Sequence, residues 1–243
     1  MKKKKCLIIL LLLFLLIFCT SFYLFKNYNL GEGIKKNFTT ITDKLSDNPK
    51  LFSVIMSKSE KELFINNVKQ SKHYLEFGSG GSTFLALMNS NADVVSVEND
   101  IKWIKHLKEW NLIRKNDNKR LHFYYANTGK IGGYGWPTDI KADRDLFPIY
   151  SNGVFKDIVN NKYDLVLIDG RFRVACALQT ILNTDDNVKI LIHDFTNRPD
   201  YHEILKFLTI EKNADTMVLL RKKDNIDRTK VVELYEKYKY DYR

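Results

Sequence analysis

HYLEFGSGGST, residues His73 to Thr83, joins a short apolar run to a glycine-rich turn and then to a helical pattern. The run His73–Phe77 has the length and apolar content of a buried strand. Gly78 and Gly80 permit a tight strand-to-helix turn and let a ligand approach bare backbone. Amides after Gly81 and Ser82, at the start of the next helix, would face such a ligand. A glycine turn also serves as a plain structural corner, so its surroundings decide. The next apolar run, Val94–Glu98, ends in a carboxylate placed where it can accept hydrogen bonds from the ribose hydroxyls of a nucleotide. Asp100 reads instead as the cap of a helix starting at Ile101.

Outward from this join, short apolar runs and helical patterns alternate. Further strands are expected at Leu121–Ala126, Tyr163–Asp169 and Val188–Asp194. Helices are expected over 101–115, over 173–182, and from a capping box at Ser59-Glu60-Lys61-Glu62 to about Gln70. Such alternation predicts an α/β fold, a Rossmann-like doubly wound, mostly parallel sheet. Two last strands, around Phe207–Lys212 and Met217–Lys222, are joined by Asn213-Ala214-Asp215-Thr216, which suits a terminal antiparallel hairpin. One domain over residues 59–243 is expected.

The fourth and fifth strands end as YDLVLIDGRFR and KILIHDFTNRPDYH. In an open parallel sheet the crevice lies at the carboxyl ends of the strands, so Asp169, His193 and Asp194 should converge there. Burying three polar groups without partners is costly. Two uses fit them: general-base chemistry on an acceptor hydroxyl, or coordination of a divalent cation by hard oxygens. Arg171, Arg173 and Arg198 follow closely, and their forks suit a carboxylate or phosphate on a substrate, or the same aspartates. The insertion GKIGGYGWPTDIKADRDLFP, residues 129–148, carries Tyr134, Trp136 and Pro137 among glycines. It reads as a substrate lid with aromatic faces for sugar rings or planar groups, or as an aromatic plug over the sheet.

Composition narrows the rest. With 243 residues, 44% of them hydrophobic, the chain can fill a core, which excludes a disordered chain. Only 3 cysteines, Cys6, Cys19 and Cys176, exclude a disulfide scaffold. The net charge of +10 raises a nucleic-acid reading, but four of those charges are Lys2–Lys5, and others spread over helix faces at Lys102, Lys105 and Lys108. No basic stripe interleaved with stacking aromatics appears, so no nucleic-acid partner is expected.

The four lysines form a basic flank, residues 1–5, before the uncharged apolar run Cys6–Phe25. As a helix that run spans about 30 Å, a bilayer's hydrocarbon core. It predicts one N-terminal transmembrane signal anchor over 6–25, with a cleaved signal peptide as the rival. The lysine bias directs the N-terminus to the cytoplasm and the domain to the exoplasmic or lumenal side. Residues 26–58 read as a stem carrying one glycosylation sequon, Asn37-Phe38-Thr39.

Glu76, Gly78, Gly80 and Gly81, with Glu98 after the second strand, resemble the class I S-adenosylmethionine-dependent methyltransferase family. The resemblance covers roughly residues 59–222 and implies S-adenosylmethionine as cofactor. It places the methionine part of that cofactor over the loop Glu76, Gly78, Ser79, Gly80 and Gly81, its ribose at Glu98, and Asp169 beside it. A dinucleotide dehydrogenase fits less well, because Thr83 stands at the third fingerprint glycine. Asp169 and Asp194 are similar in placement to the metal-binding acids of the catechol O-methyltransferase-like branch. Phe195 and Phe172 stand where that branch has asparagine and lysine, so a divalent metal is not the favoured expectation.

The anchor, EFGSGGST, IDGRFR and HDF also look like membrane-anchored polysaccharide O-methyltransferases, including glucuronoxylan and arabinogalactan methyltransferases. The resemblance implies methylation of a glycan or other hydroxyl acceptor at a membrane. Asp169, His193 and Asp194 would be catalytic, and Tyr134, Trp136, Arg171, Arg173 and Arg198 would bind substrate. Two alternatives stay open: a cytoplasm-facing small-molecule or lipid methyltransferase, and a non-catalytic Rossmann-like module at the membrane. The oligomeric state is left open by the sequence.

Overall fold

A computed structural model describes residues 30–158 and 162–243. The expected anchor and basic flank lie outside these residues. Among the described residues no helix is long and apolar enough to cross a membrane. The chain forms two compact units, one ending at Leu51 and the other running from Phe52 to Arg243. The first contains α1 (Leu30–Lys44). After it the Asp43 carboxylate accepts the backbone amides of Lys50 at 2.9 Å and Leu51 at 2.7 Å.

The second unit holds one seven-stranded sheet in the order β3-β2-β1-β4-β5-β7-β6. Its elements are α2 (Lys58–Val68), β1 (His73–Phe77), α3 (Gly81–Asn89), β2 (Asp93–Glu98), α4 (Ile101–Leu107), α5 (Asn111–Asn116) and β3 (Leu121–Tyr125). There follow α6 (Ile140–Asp143), α7 (Pro148–Asp157), β4 (Leu165–Ile168), α8 (Arg173–Asn183), β5 (Lys189–Ile192), β6 (Leu208–Ala214), β7 (Met217–Lys222) and α9 (Arg228–Tyr238). β1 to β5 pair in parallel, with Leu75 opposite Val95 and Val166. β7 is antiparallel to both β5 and β6, so the terminal hairpin forms as expected.

The strands are apolar throughout because both faces of the sheet are covered. Alternate residues feed two different cores. Leu75, Phe77, Val166, Ile168 and Ile190 pack in one with α7, α8 and α9. Tyr74, Val94, Leu165, Leu167 and Leu191 pack in the other with α2 and α3.

Three local expectations change. The cap of α2 is Ser57, whose Oγ accepts from the Glu60 amide at 3.2 Å while Glu60 Oε2 accepts from the Ser57 amide at 2.8 Å. Ser59 does not cap, because it already lies within the first turn of α2, where its hydroxyl donates to Asp215 Oδ2 at 2.5 Å. The helix expected over 101–115 is two helices, broken where Trp110 turns inward to meet Phe84 edge-on at 5.3 Å. Finally, the end of the expected stem is part of the domain: Phe52 stacks on Phe84 at 4.5 Å, and Val54 and Met56 pack on the same core.

Candidate active site

β1 lies between β2 and β4, so the chain leaves its carboxyl end toward both sides of the sheet, and a crevice opens there. The glycine loop lines it. Gly78 has φ +99°, and a Cβ on it would stand 2.8 Å from the Gly170 amide nitrogen. Glycine is therefore required, since it lets the β1 and β4 loops touch. A Cβ on Gly80 would meet nothing within 4 Å, so this stretch of backbone faces open space. Gly81 differs: the Ser53 carbonyl and Val54 fill the space that a side chain there would need, so glycine is required for packing.

Glu76 is fully buried and does not reach the crevice. Its carboxylate accepts hydroxyls from Tyr74 at 2.9 Å, Ser82 at 2.7 Å and Ser96 at 2.6 Å, and from Thr83. Burial raises its pKa, against these four donors. Glu76 thus secures the loop from beneath rather than touching a ligand. Ser79 Oγ lies 2.6 Å from Ser96 Oγ, and the Trp103 indole donates to the Ser79 carbonyl at 2.9 Å.

Glu98 ends β2 with its carboxylate at the crevice. Oε2 accepts the Ser79 amide at 3.2 Å, and Oε1 accepts the amides of Asn99 at 2.8 Å and Asp100 at 3.0 Å. Burial pushes its pKa up to about 7, opposed by those backbone donors. Each carboxylate oxygen has two lone pairs, so Oε2 keeps one for a ligand hydroxyl. Asp100 caps α4, accepting the Lys102 amide at 2.8 Å, as its position predicts. Asn99 Nδ2 donates to Thr128 Oγ1 at 2.8 Å and to the Gly135 carbonyl at 2.9 Å, which ties the 129–148 insertion down beside Glu98. Within that insertion Tyr134 is 89% exposed and Trp136 39%.

Across the crevice, β4 and β5 bring Asp169, His193 and Asp194 together, as their sequence positions predict. His193 Nδ1 lies 3.0 Å from Asp169 Oδ1, and Nε2 lies 3.2 Å from Glu60 Oε2. Burial alone would lower the His193 pKa. The hydrogen bond that His193 donates to Asp169 and the charges of Asp169, Asp194 and Glu60 outweigh it and raise the value to about 9. With a carboxylate at each ring nitrogen, His193 is a held cation, not the free base that its strand-end position suggested. Glu60 completes the arrangement. Its burial is overridden by the Thr216 hydroxyl, the Ser57 and Thr216 amides and His193, which hold its pKa down to about 2.

Arg173, expected to bind substrate, is 3% exposed and serves the protein instead. Nη2 lies 3.3 Å from Asp169 Oδ1, Nη1 lies 3.2 Å from Asp194 Oδ2, and Nε donates to the Gly170 carbonyl at 2.9 Å. Arg198 Nη2 donates to Asp194 Oδ2 at 3.0 Å. Asp194 itself sits at φ +53°, a left-handed conformation that aspartate tolerates better than most residues and that these two guanidiniums hold.

Ligand atoms of Asp169, His193 and Asp194 lie within 4.8 Å of one another, close enough to consider a metal. The donor set fits poorly, because a ligating imidazole must be neutral with a free lone pair. Here both nitrogens face carboxylates, and both aspartates already hold a guanidinium.

Four neighbours escaped the sequence reading. In the sequence Glu60 reads as a helix-cap residue alone. Asn99, Trp103 and Tyr150, whose hydroxyl accepts the Arg171 amide at 3.3 Å, carry no motif, although Trp103 follows the Glu98 strand end closely.

No protein-family model and no curated protein matches the chain. Solved structures do. A methyltransferase-like protein from Silicibacter pomeroyi is 26% identical, with 78% of this chain and 98% of that one covered, at a TM-score of 0.70. The SAH-bound Podospora anserina methyltransferase PaMTH1 is 16% identical over 84% of this chain and 94% of its own, with a TM-score of 0.48. The fold is that of the class I S-adenosylmethionine-dependent methyltransferases, as the glycine loop and Glu98 implied.

Proposed function

We propose that the chain is an S-adenosylmethionine-dependent methyltransferase that modifies a hydroxyl of a glycan or small molecule, held at a membrane by residues 6–25. One observation carries this reading. The open backbone at Gly80 and the carboxylate of Glu98 lie at the carboxyl ends of the same adjoining central strands, β2, β1 and β4, that lead to the partly exposed carboxylate of Asp169. A cofactor half and an acceptor half thus meet at the switch point of the sheet.

The cofactor, when bound, supplies a methyl group on a sulfonium, activated for displacement by an acceptor oxygen. The chain's residues do the remainder. Gly78 and Gly80 give close access to backbone, and Glu98 accepts ribose hydroxyls. Asp169, whose side chain is 25% exposed, orients the acceptor hydroxyl and takes its proton. His193 and Arg173 hold Asp169 in place. The apolar run Cys6–Phe25 supports the membrane assignment, and the flanking lysines support an exoplasmic domain.

Calorimetry with S-adenosylmethionine on the detergent-solubilised full chain tests the enzyme reading. Binding that is lost in Glu98→Ala is expected, and no binding at millimolar cofactor would sink it. Protease protection on sealed membranes then separates an exoplasmic from a cytoplasmic domain.

A further inference from the structure

We propose that Arg171 binds an anionic group, a carboxylate or a phosphate, carried by the acceptor itself. The proposal rests on the methyltransferase reading and names its substrate class. Arg171 Nε and Nη1 are buried with no hydrogen-bond partner. The other two arginines here are satisfied: Arg173 by Asp169 and Asp194, Arg198 by Asp194 and the Tyr201 hydroxyl. A guanidinium offers five N–H donors and cannot shed its charge, so leaving the three on Nε and Nη1 buried and unmet is costly. The arrangement becomes favourable when an anion enters and takes the fork.

The surroundings are built for such a ligand. The guanidinium carbon lies 4.6 Å from the centroid of the Trp136 ring, which holds the fork flat and limits its freedom. Trp136 in turn meets Tyr242 edge-on at 5.5 Å. The Arg171 amide donates to the Tyr150 hydroxyl at 3.3 Å, and the next residue, Phe172, is fully buried at φ +54°. This turn is therefore pinned on both sides of the side chain. Burial and the nearby charge of Arg173 both disfavour a cation at this spot, which an incoming anion would relieve.

Position specifies the ligand further. Arg171 is two residues from Asp169, so their Cα atoms lie at most about 7 Å apart. The anionic group and the reacting hydroxyl can then belong to one sugar unit or to neighbouring units of the same acceptor. An acidic monosaccharide unit, a sugar phosphate or a small hydroxy acid meets this requirement, and a neutral glycan does not.

Thermal unfolding of the full chain, wild type and Arg171→Met, in sodium phosphate, sodium acetate and sodium chloride at matched ionic strength tests the proposal. Anions that bind only the folded state raise its midpoint saturably. The wild type is expected to respond to phosphate or acetate beyond chloride, with apparent affinity at least tenfold weaker in Arg171→Met. A response to phosphate alone identifies a phosphorylated acceptor, and one to acetate a carboxylated one.

Equal responses in both proteins would be a general salt effect and would overturn the proposal. So would no saturable wild-type response up to 50 mM, which needs no variant. Arg171→Lys, which keeps the charge but not the fork, substitutes if Arg171→Met does not fold, with the same weakening expected. Calorimetry with S-adenosylmethionine on the same proteins reads the cofactor separately. A selective loss of cofactor affinity in Arg171→Met would reassign the arginine to the cofactor and overturn the proposal. An absence of cofactor binding in the wild type, with the anion response intact, would fault the enzyme reading instead.

Discussion

Glu60, in the first turn of α2, and His193, one residue past β5, meet at 3.2 Å between Oε2 and Nε2. The contact joins the helix that precedes the sheet to the strand end that carries the candidate catalytic acids. Folding raises the His193 pKa to about 9 from an ordinary 6.5, so the resulting stability is complete below about pH 6.5 and lost as pH rises through 9. Folding lowers that of Glu60 to about 2, so its contribution is present above its ordinary 4.5 and lost toward pH 2. Chemical denaturation should therefore show a loss of up to about 3 kcal/mol between pH 6 and pH 10. In His193→Gln the chain should be less stable at pH 6 and lack most of this slope. Equal slopes in the two proteins would show that His193 is not the held cation.

Asp169 and Asp194 look equivalent in sequence, each ending a strand, but their partners differ. Asp169 is gripped by His193 and Arg173 through Oδ1. Asp194 gives Oδ2 to both Arg173 and Arg198. Asp169→Asn should lower methyl transfer by about 10²- to 10⁴-fold while leaving S-adenosylmethionine affinity within a few-fold, since an amide cannot take the acceptor proton. Asp194→Asn should act mainly on stability. Single-turnover kinetics with calorimetry on both variants checks the assignment, and a larger kinetic loss for Asp194→Asn would reverse it.

The fold was legible because its signals are local. Apolar runs such as Leu165–Ile168 can be strands covered on both faces, and polar residues at their ends have few other uses. The placement of Gly78, Gly80, Glu98 and Asp169 followed directly. What escaped were choices made between distant residues. Nothing near Glu76 in sequence says that its carboxylate will be consumed by hydroxyls from β1, β2 and α3. Nor does the string IDGRFR say which arginine turns back onto the aspartates and which is left facing Trp136. Charge and spacing define the set of possible partners, and packing selects among them.

Glu98 gives the cofactor site a pH signature. Its pKa is pushed up to about 7 by burial, so near neutral pH the carboxylate is only partly ionised. Ribose hydroxyls donate best to the ionised form, so S-adenosylmethionine affinity should rise several-fold from pH 6 to pH 8. The cofactor's own amine also titrates in this range, so Glu98→Gln supplies the comparison. That variant should bind more weakly at pH 8 with a flatter profile, and parallel profiles by calorimetry would remove Glu98 from the ribose site.

Gly78 and Gly80 separate folding from binding within one loop. A methyl on Gly78 would require a non-glycine residue at φ +99° and would press on the Gly170 backbone at 2.8 Å. Gly78→Ala should therefore destabilise the domain by about 1–3 kcal/mol, seen as a lower unfolding midpoint with or without ligand. A methyl on Gly80 meets nothing within 4 Å and should leave stability within about 1 kcal/mol. It does fill the space where backbone and cofactor would meet, so Gly80→Ala should bind S-adenosylmethionine at least tenfold more weakly by calorimetry. A Gly80→Ala protein that folds normally and keeps its affinity would place the cofactor elsewhere in the crevice.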